Sequence, residues 1–195
     1  RYARWARAQG VNKGDVVALL MPNRPEYVTV WLGVAKIGGV TALLNTNLTG
    51  ASLAHCMNVV NARIIVVDAA LLPLFDTAKP HLAAGIKLFI HGESARGETA
   101  EEPRVDKMLD GFSDADIPAA ERPALTINDG CLYIYTSGTT GMPKAANMNH
   151  YRVQLAMNGF SGVTAATRDD RMYIVLPMYH SNGGLGGVGA TLTVG

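Results

Sequence analysis

Cys131-Leu132-Tyr133-Ile134-Tyr135-Thr136-Ser137-Gly138-Thr139-Thr140-Gly141-Met142-Pro143-Lys144 is an apolar run that gives way abruptly to glycines, hydroxyls and a lysine. Its first five residues predict a buried strand. From Tyr135 to Lys144, ten positions hold five hydroxyl residues, two glycines and one lysine. Glycines let a backbone turn tightly and approach a ligand. Successive N–H groups in such a turn form an anion-binding concavity. Hydroxyls add donors, and Lys144 adds a positive charge at the far end. The composition suits a polyphosphate, with an ordinary Gly/Ser/Thr turn as the plain alternative. It is not a Walker A loop, which needs Lys directly after its second glycine and Ser or Thr next. Here Lys144 follows Gly141 by three positions, Pro143 intervenes, and Ala145 follows.

Upstream of this strand, short apolar runs alternate with helical patterns. Arg1 to Gln9 reads as a helix with Tyr2 and Trp5 on one face and Gly10 as its stop. Val16–Met21, Val40–Leu44, Ile64–Val67 and Lys87–Ile90 read as strands. A helix begins at Pro25, with Tyr27, Trp31, Val34 and Ala35 at helical spacing, and ends at Gly38-Gly39. Thr49 is a candidate cap for the next helix, whose apolar stripe is Leu53, Cys56, Met57 and Val60. A further helix is expected from Leu71 to His81. This alternation is the signature of right-handed βαβ units on a parallel sheet, an α/β fold.

Residues 93–122 carry nine acidic against four basic residues and few large apolar ones. They read as a solvated connection between residues 1–92 and 123–195, with a short helix near Val105 to Leu109. Beyond Lys144, a helix is expected from His150, with Leu155, Ala156 and Phe160 as apolar positions. Arg171 to Leu176 reads as a strand ending at Pro177-Met178-Tyr179-His180-Ser181-Asn182. The tail from Gly183 to Gly195 is apolar and expected to be partly helical.

The 195 residues carry a formal net charge of +1 and are 48% hydrophobic. That balance suits a sizeable core and lacks the basic excess of a nucleic-acid binder. No apolar run approaches the ~20 residues of a membrane-spanning helix, and no signal-peptide pattern opens the chain. The chain does not begin with Met and stops after a glycine-rich run, so it is expected to be part of a longer protein. Cys56 and Cys131 sit among apolar residues without metal-like spacing and read as small buried thiols, consistent with a reducing cytosol. No metal-ligand spacing links His55, His81, His91 and His150.

Two further motifs remain. Gly184-Leu185-Gly186-Gly187-Val188-Gly189 matches GxGxxG, but a dinucleotide reading needs a strand-turn-helix context and an acidic residue about twenty positions on. Close helix packing is the simpler account. His180 stands at the expected carboxyl end of a strand, where a parallel sheet places its ligand crevice. A substrate contact and a structural hydrogen bond are equally open for it.

The segment from Thr136 to Lys144 resembles, position by position, the AMP-binding signature of the adenylate-forming superfamily. Tyr179-His180-Ser181 after Leu176-Pro177 resembles the downstream motif of acyl-CoA synthetases. The runs Val17–Tyr27 and Leu43–Leu48 are most similar to the fatty-acid transport protein/very-long-chain acyl-CoA synthetase branch. The resemblance covers nearly the whole chain and implies the N-terminal part of an AMP-binding domain. It implies a ligase that joins a long- or very-long-chain fatty acid to CoA through acyl-AMP, using ATP, Mg2+ and CoA. By the same resemblance Thr136, Ser137, Gly138, Thr139, Thr140, Gly141 and Lys144 would bind ATP phosphates. His180 would line the acyl pocket.

The family's adenine-contacting Tyr-Gly-x-Thr-Glu segment, ribose-binding aspartate, hinge and C-terminal lysine are not in this sequence. The chain alone is therefore expected to be inactive, with no metal ligand of its own. A cytoplasmic protein with peripheral membrane association of the full-length form is compatible with the resemblance. The alternatives are a ligase for a bile acid, carnitine-like or aryl acid, a non-catalytic fatty-acid binding or transport module, and a dinucleotide oxidoreductase.

Overall fold

The computed structural model describes residues 1–94, 99, 102–136 and 141–195. Six strands form one sheet in the order β4-β3-β1-β2-β5-β6. They are β1 (Val16–Leu20), β2 (Val40–Leu43), β3 (Ile64–Asp68), β4 (Lys87–His91), β5 (Gly130–Thr136) and β6 (Lys144–Asn149). The first five are mutually parallel, and β6 runs antiparallel to β5. Every residue of β1, β2 and β3 is buried. That is the pattern of a parallel sheet covered on both faces, and it explains the continuous apolar runs.

Side chains alternate across the sheet and feed two cores. On one face Val17, Leu19, Ile64, Val66 and Leu132 meet helices α1 (Tyr2–Ala8), α2 (Pro25–Lys36) and α6 (His150–Val163). On the other, Val16, Ala18, Leu20, Ala42, Ile65 and Val67 meet α3 (Gly50–Asn58) and α4 (Leu72–Asp76). Trp5 is fully buried, with its ring edge-on to Phe89 at 5.0 Å. Helices α1 and α2 pack closely at Gly33, where an added Cβ would lie 2.6 Å from that of Tyr2.

Several expectations are corrected. Leu71 to His81 is not one helix. It is a 3₁₀ turn (Ala69–Leu71), the short α4 and another 3₁₀ turn (Lys79–His81). Pro73 and Pro80 each lack an N–H and fit only the first turn of a helix, so the segment restarts at each. Thr49 occupies the N-cap position of α3 but makes no capping bond. The Gly50 N–H donates instead to Thr77 Oγ1, 2.7 Å away.

Residues 102–122 are more than a solvated connection. Besides the short helix expected there, which is α5 (Val105–Met108), they bury Val105 and Ile117 and add an isolated parallel bridge from Arg104 to Ile90. The residues from Arg171 to Leu176 are irregular and make no strand pairing, and Tyr173 and Val175 face solvent. A strand needs a neighbour to complete its ladder, and no described strand lies beside this stretch. On α6, Val153 and Ser161 are the buried residues, whereas Leu155 is 58% exposed. The glycine tail is helical, as expected, with a π-helix (Asn182–Val188) running into α7 (Gly189–Val194). Gly184 to Gly189 therefore lie inside a helix, with no strand-turn-helix unit to make a dinucleotide fingerprint.

Candidate functional site at the carboxyl ends of the strands

In a parallel sheet the carboxyl ends of the strands share one edge. Here that edge carries Asn23 after β1, Asn45 and Asn47 after β2, Asp68 and His91 at the ends of β3 and β4, and Thr136 at the end of β5. The chain order reverses on either side of β1, with β2 to one side and β3 to the other. The carboxyl edge beside such a reversal is where α/β proteins bind ligands.

A cavity of about 460 Å³ lies at this edge, lined by Asn45, Leu48, Ser52, Tyr135, Thr136, Gly141, Pro143 and His180. Thr136, Gly141 and His180 are thus brought together although His180 is 44 residues from Thr136 in the sequence (180 − 136). Ser137, Gly138, Thr139 and Thr140 lie outside the described residues. Lys144 does not sit in a loop. It opens β6 and pairs with Thr136 across the hairpin, so the segment 137–143 is the connection of two hydrogen-bonded strands. The Lys144 side chain is exposed and has no carboxylate partner among the described residues. Gly141 adopts φ +127°, a left-handed conformation that a residue with a Cβ avoids. A larger hollow of about 550 Å³ lies at the opposite edge, by the start of β4 and Lys79, away from all of these residues.

Helix α3 braces the hairpin from below. Its residues Ser52 and His55, three apart, occupy one face. Ser52 Oγ meets Met142 Sδ at 3.7 Å, and His55 Nε2 lies 3.1 Å from the Pro143 carbonyl oxygen. That contact is a hydrogen bond when Nε2 carries the proton. Tyr135 Oη donates to the Cys56 carbonyl and ties β5 to the same helix. Burial pushes the Tyr135 phenol well above its ordinary range and raises the Cys56 thiol to about 12. Neither group is poised to ionise, and the two cysteines are buried thiols.

His180 follows a turn in which its own N–H donates to the Pro177 carbonyl at 3.1 Å. The His180 ring is exposed and lies 4.6 Å from the buried Tyr179 ring, tilted by 50°. Beside β1 and β3, Arg24 donates to Glu26 at 2.8 Å and to the buried Asp68 at 2.6 Å. Hydrogen bonding to Arg24 lowers the Glu26 carboxyl. Near this cluster His91 is buried, and its Nδ1 has no hydrogen-bond partner. Desolvation, followed by the Arg24 charge, lowers its pKa. No cluster of three His, Cys, Asp or Glu suited to a metal occurs among the described residues.

Reading the sequence alone leaves out Asn23, Asn45, Asn47, Ser52 and His55 as site residues. The asparagines had one legible signal, their position directly after two predicted strands. Ser52 and His55 had none, because their role depends on where the hairpin lands on α3.

A model of the family described as AMP-binding enzyme matches residues 1–195. The long-chain fatty acid transport protein 6 of Mus musculus is 39% identical over 95% of this chain, which spans 29% of that relative. An anthranilate CoA ligase solved in complex with anthranoyl-AMP superposes with a TM-score of 0.89 at 23% identity, over 100% of this chain and 36% of that one. A long-chain-fatty-acid-CoA ligase from Archaeoglobus fulgidus superposes with a TM-score of 0.82 at 22% identity, also over 100% of this chain and 36% of that one. At these identities the structures speak to the fold.

Proposed function

The chain belongs to the AMP-binding enzyme family, and on that premise we propose that it is the N-terminal part of a fatty-acyl-CoA synthetase. The parent protein would join a long- or very-long-chain fatty acid to CoA in two steps. First the acid's carboxylate oxygen attacks the α-phosphorus of ATP, forming the acyl–phosphate bond as the bond to pyrophosphate breaks. The CoA thiol then displaces AMP and loses its proton. The first step brings a carboxylate against a polyphosphate, and pre-positioned donors and cations lower the barrier by meeting that charge.

The observation that carries this reading is the single cavity shared by Thr136, Gly141 and His180 at the carboxyl edge of the sheet. The hairpin holds Lys144 opposite Thr136 through backbone pairing, so the base of its side chain is anchored on a strand. We assign Thr136, Gly141 and Lys144, with Ser137 to Thr140 between them, to the phosphates, and His180 to the acyl end. Mg2+ ligands, the adenine pocket and the CoA site would come from elsewhere in the parent. The chain alone is then inactive.

The test is acid-dependent exchange between ATP and pyrophosphate in a full-length protein containing this chain. Lys144→Ala and Thr136→Ala should each lower the rate about 100-fold or more, as loss of transition-state donors does. Unchanged exchange in both variants would overturn the assignment.

The relatives' name, long-chain fatty acid transport protein, supports a second reading, a fatty-acid binding or transport module. Retained lipid binding with no exchange activity in the unaltered protein would favour it. No helix among the described residues is long and apolar enough to cross a membrane. Peripheral membrane association of the parent protein belongs to this reading as a proposal and is readable as co-sedimentation with vesicles.

A further inference from the structure

The turn that presents His180 is gripped by two asparagines from distant strands. Asn23, just past β1, makes two hydrogen bonds with one stretch of backbone. Its Nδ2 donates to the Leu176 carbonyl at 2.9 Å, and its Oδ1 accepts from the Met178 N–H at 2.8 Å. One side-chain amide thus satisfies a donor and an acceptor two residues apart, as a neighbouring strand would. Asn47, just past β2, donates from Nδ2 to Tyr179 Oη at 3.2 Å. Tyr179 is 5% exposed, and its ring carries the His180 ring.

The opposite side of the turn is closed by backbone. A Cβ at Gly183 would overlap the Pro177 carbonyl oxygen, and one at Gly184 would lie 2.5 Å from that of Met178. The segment 176–179 is therefore pressed between the glycine helix and the two asparagines. The residues just before it lack a ladder of their own. Side chains at the strand ends take over the register that a ladder would have set.

We propose that Asn23 and Asn47 are positioning residues that clamp the 176–179 turn and thereby fix His180 against the cavity containing Thr136 and Gly141. Their functional effect rests on the acyl-CoA ligase reading, in which His180 faces the acyl end. The clamp itself rests only on the contacts above. In this arrangement the two asparagines couple the ends of β1 and β2 to the acid's side of the site and leave the phosphate hairpin untouched.

In a full-length protein containing this chain, Asn23→Ala should raise the KM for the fatty acid about tenfold, as small misplacements of positioning groups do. The KM for ATP should stay within twofold. Asn23→Asp keeps the acceptor for the Met178 N–H and should recover part of the loss. In a His180→Ala background, Asn23→Ala should cost less than twofold more, because the two act through one side chain. Multiplying effects, or an equal rise in both KM values, would overturn the proposal.

Hydrogen exchange provides the readout independent of catalysis. The amides of 176–180 should exchange faster in Asn23→Ala and Asn47→Ala, with those of β1 unchanged. Unaltered exchange overturns the clamp. If the unaltered protein shows no acid-dependent pyrophosphate exchange, the ligase reading fails, and amide exchange still decides the clamp. Should Asn23→Ala not fold, Tyr179→Phe removes the Asn47 acceptor and is read the same way.

Discussion

His55 is one of two side chains, with Ser52, through which α3 reaches the hairpin. Its bond to the Pro143 carbonyl closes the far end of a connection whose near end is fixed by Tyr135 on the Cys56 carbonyl. In a full-length protein containing this chain, the proposed phosphate role of the hairpin predicts that His55→Ala raises the KM for ATP several-fold, and loss of the bond should lower stability by about 1 kcal/mol. Initial-rate kinetics and denaturant unfolding check the two effects separately. His91 makes a different residue-scale prediction. Its folded pKa is lowered, so the unfolded chain takes up a proton first as pH falls. Stability should begin to drop as pH falls through the unfolded histidine value of about 6.5. His150, also lowered by burial, acts in the same direction. The carboxyls held down by partners, Glu26 and Asp106, lose their contribution only at lower pH. His91→Gln should flatten the upper part of this loss in urea-midpoint measurements between pH 7 and 5.

At the scale of elements, the glycine-rich helix and α6 make a paired prediction. Gly184 lies against the Met178 carbonyl, so Gly184→Ala forces backbone apart and should cost about 1–3 kcal/mol. Gly159, mid-way along α6, has open space where a Cβ would go. Gly159→Ala should instead stabilise by about 0.5–1 kcal/mol, through helix propensity alone. Thermal unfolding of the two variants reads the opposite signs. The same helices show what was legible. β1, β2 and β3 were readable because burial on both faces leaves an unbroken apolar run. The β6 strand was not, since Lys144-Ala145-Ala146-Asn147-Met148-Asn149 lacks such a run and is a strand only through pairing with β5. Arg171 to Leu176 has the composition of a strand and lacks the neighbour. Composition records propensity, and pairing is a property of two segments.

For the whole molecule, the acidic stretch is the informative case. Its charge predicts a solvated connection, yet Val105 is fully buried in the core shared by α1, α2 and α6, and Asp116 pairs with Lys36. Arg4 Nη2 also donates to the Asp116 carbonyl at 3.1 Å. Val105→Ala should cost about 2 kcal/mol, whereas the exposed Asp114→Ala should be near neutral. Equal effects in denaturant unfolding would show that this stretch is not part of the cooperative unit.

By itself, the sequence determined the α/β class, the two-sided sheet, the loop rich in hydroxyls after one strand, and the family. Each of these is written in local pattern: periodicity, turn residues and a contiguous motif. Tertiary structure alone decided that Thr136, Gly141 and His180 share a cavity, that Lys144 belongs to a strand, and that Asn23, Asn47 and His55 hold the surrounding turns. Those facts depend on strand order. The order puts the ends of β1, β2 and β5 side by side, and chain neighbours carry no record of which distant segment will arrive beside them.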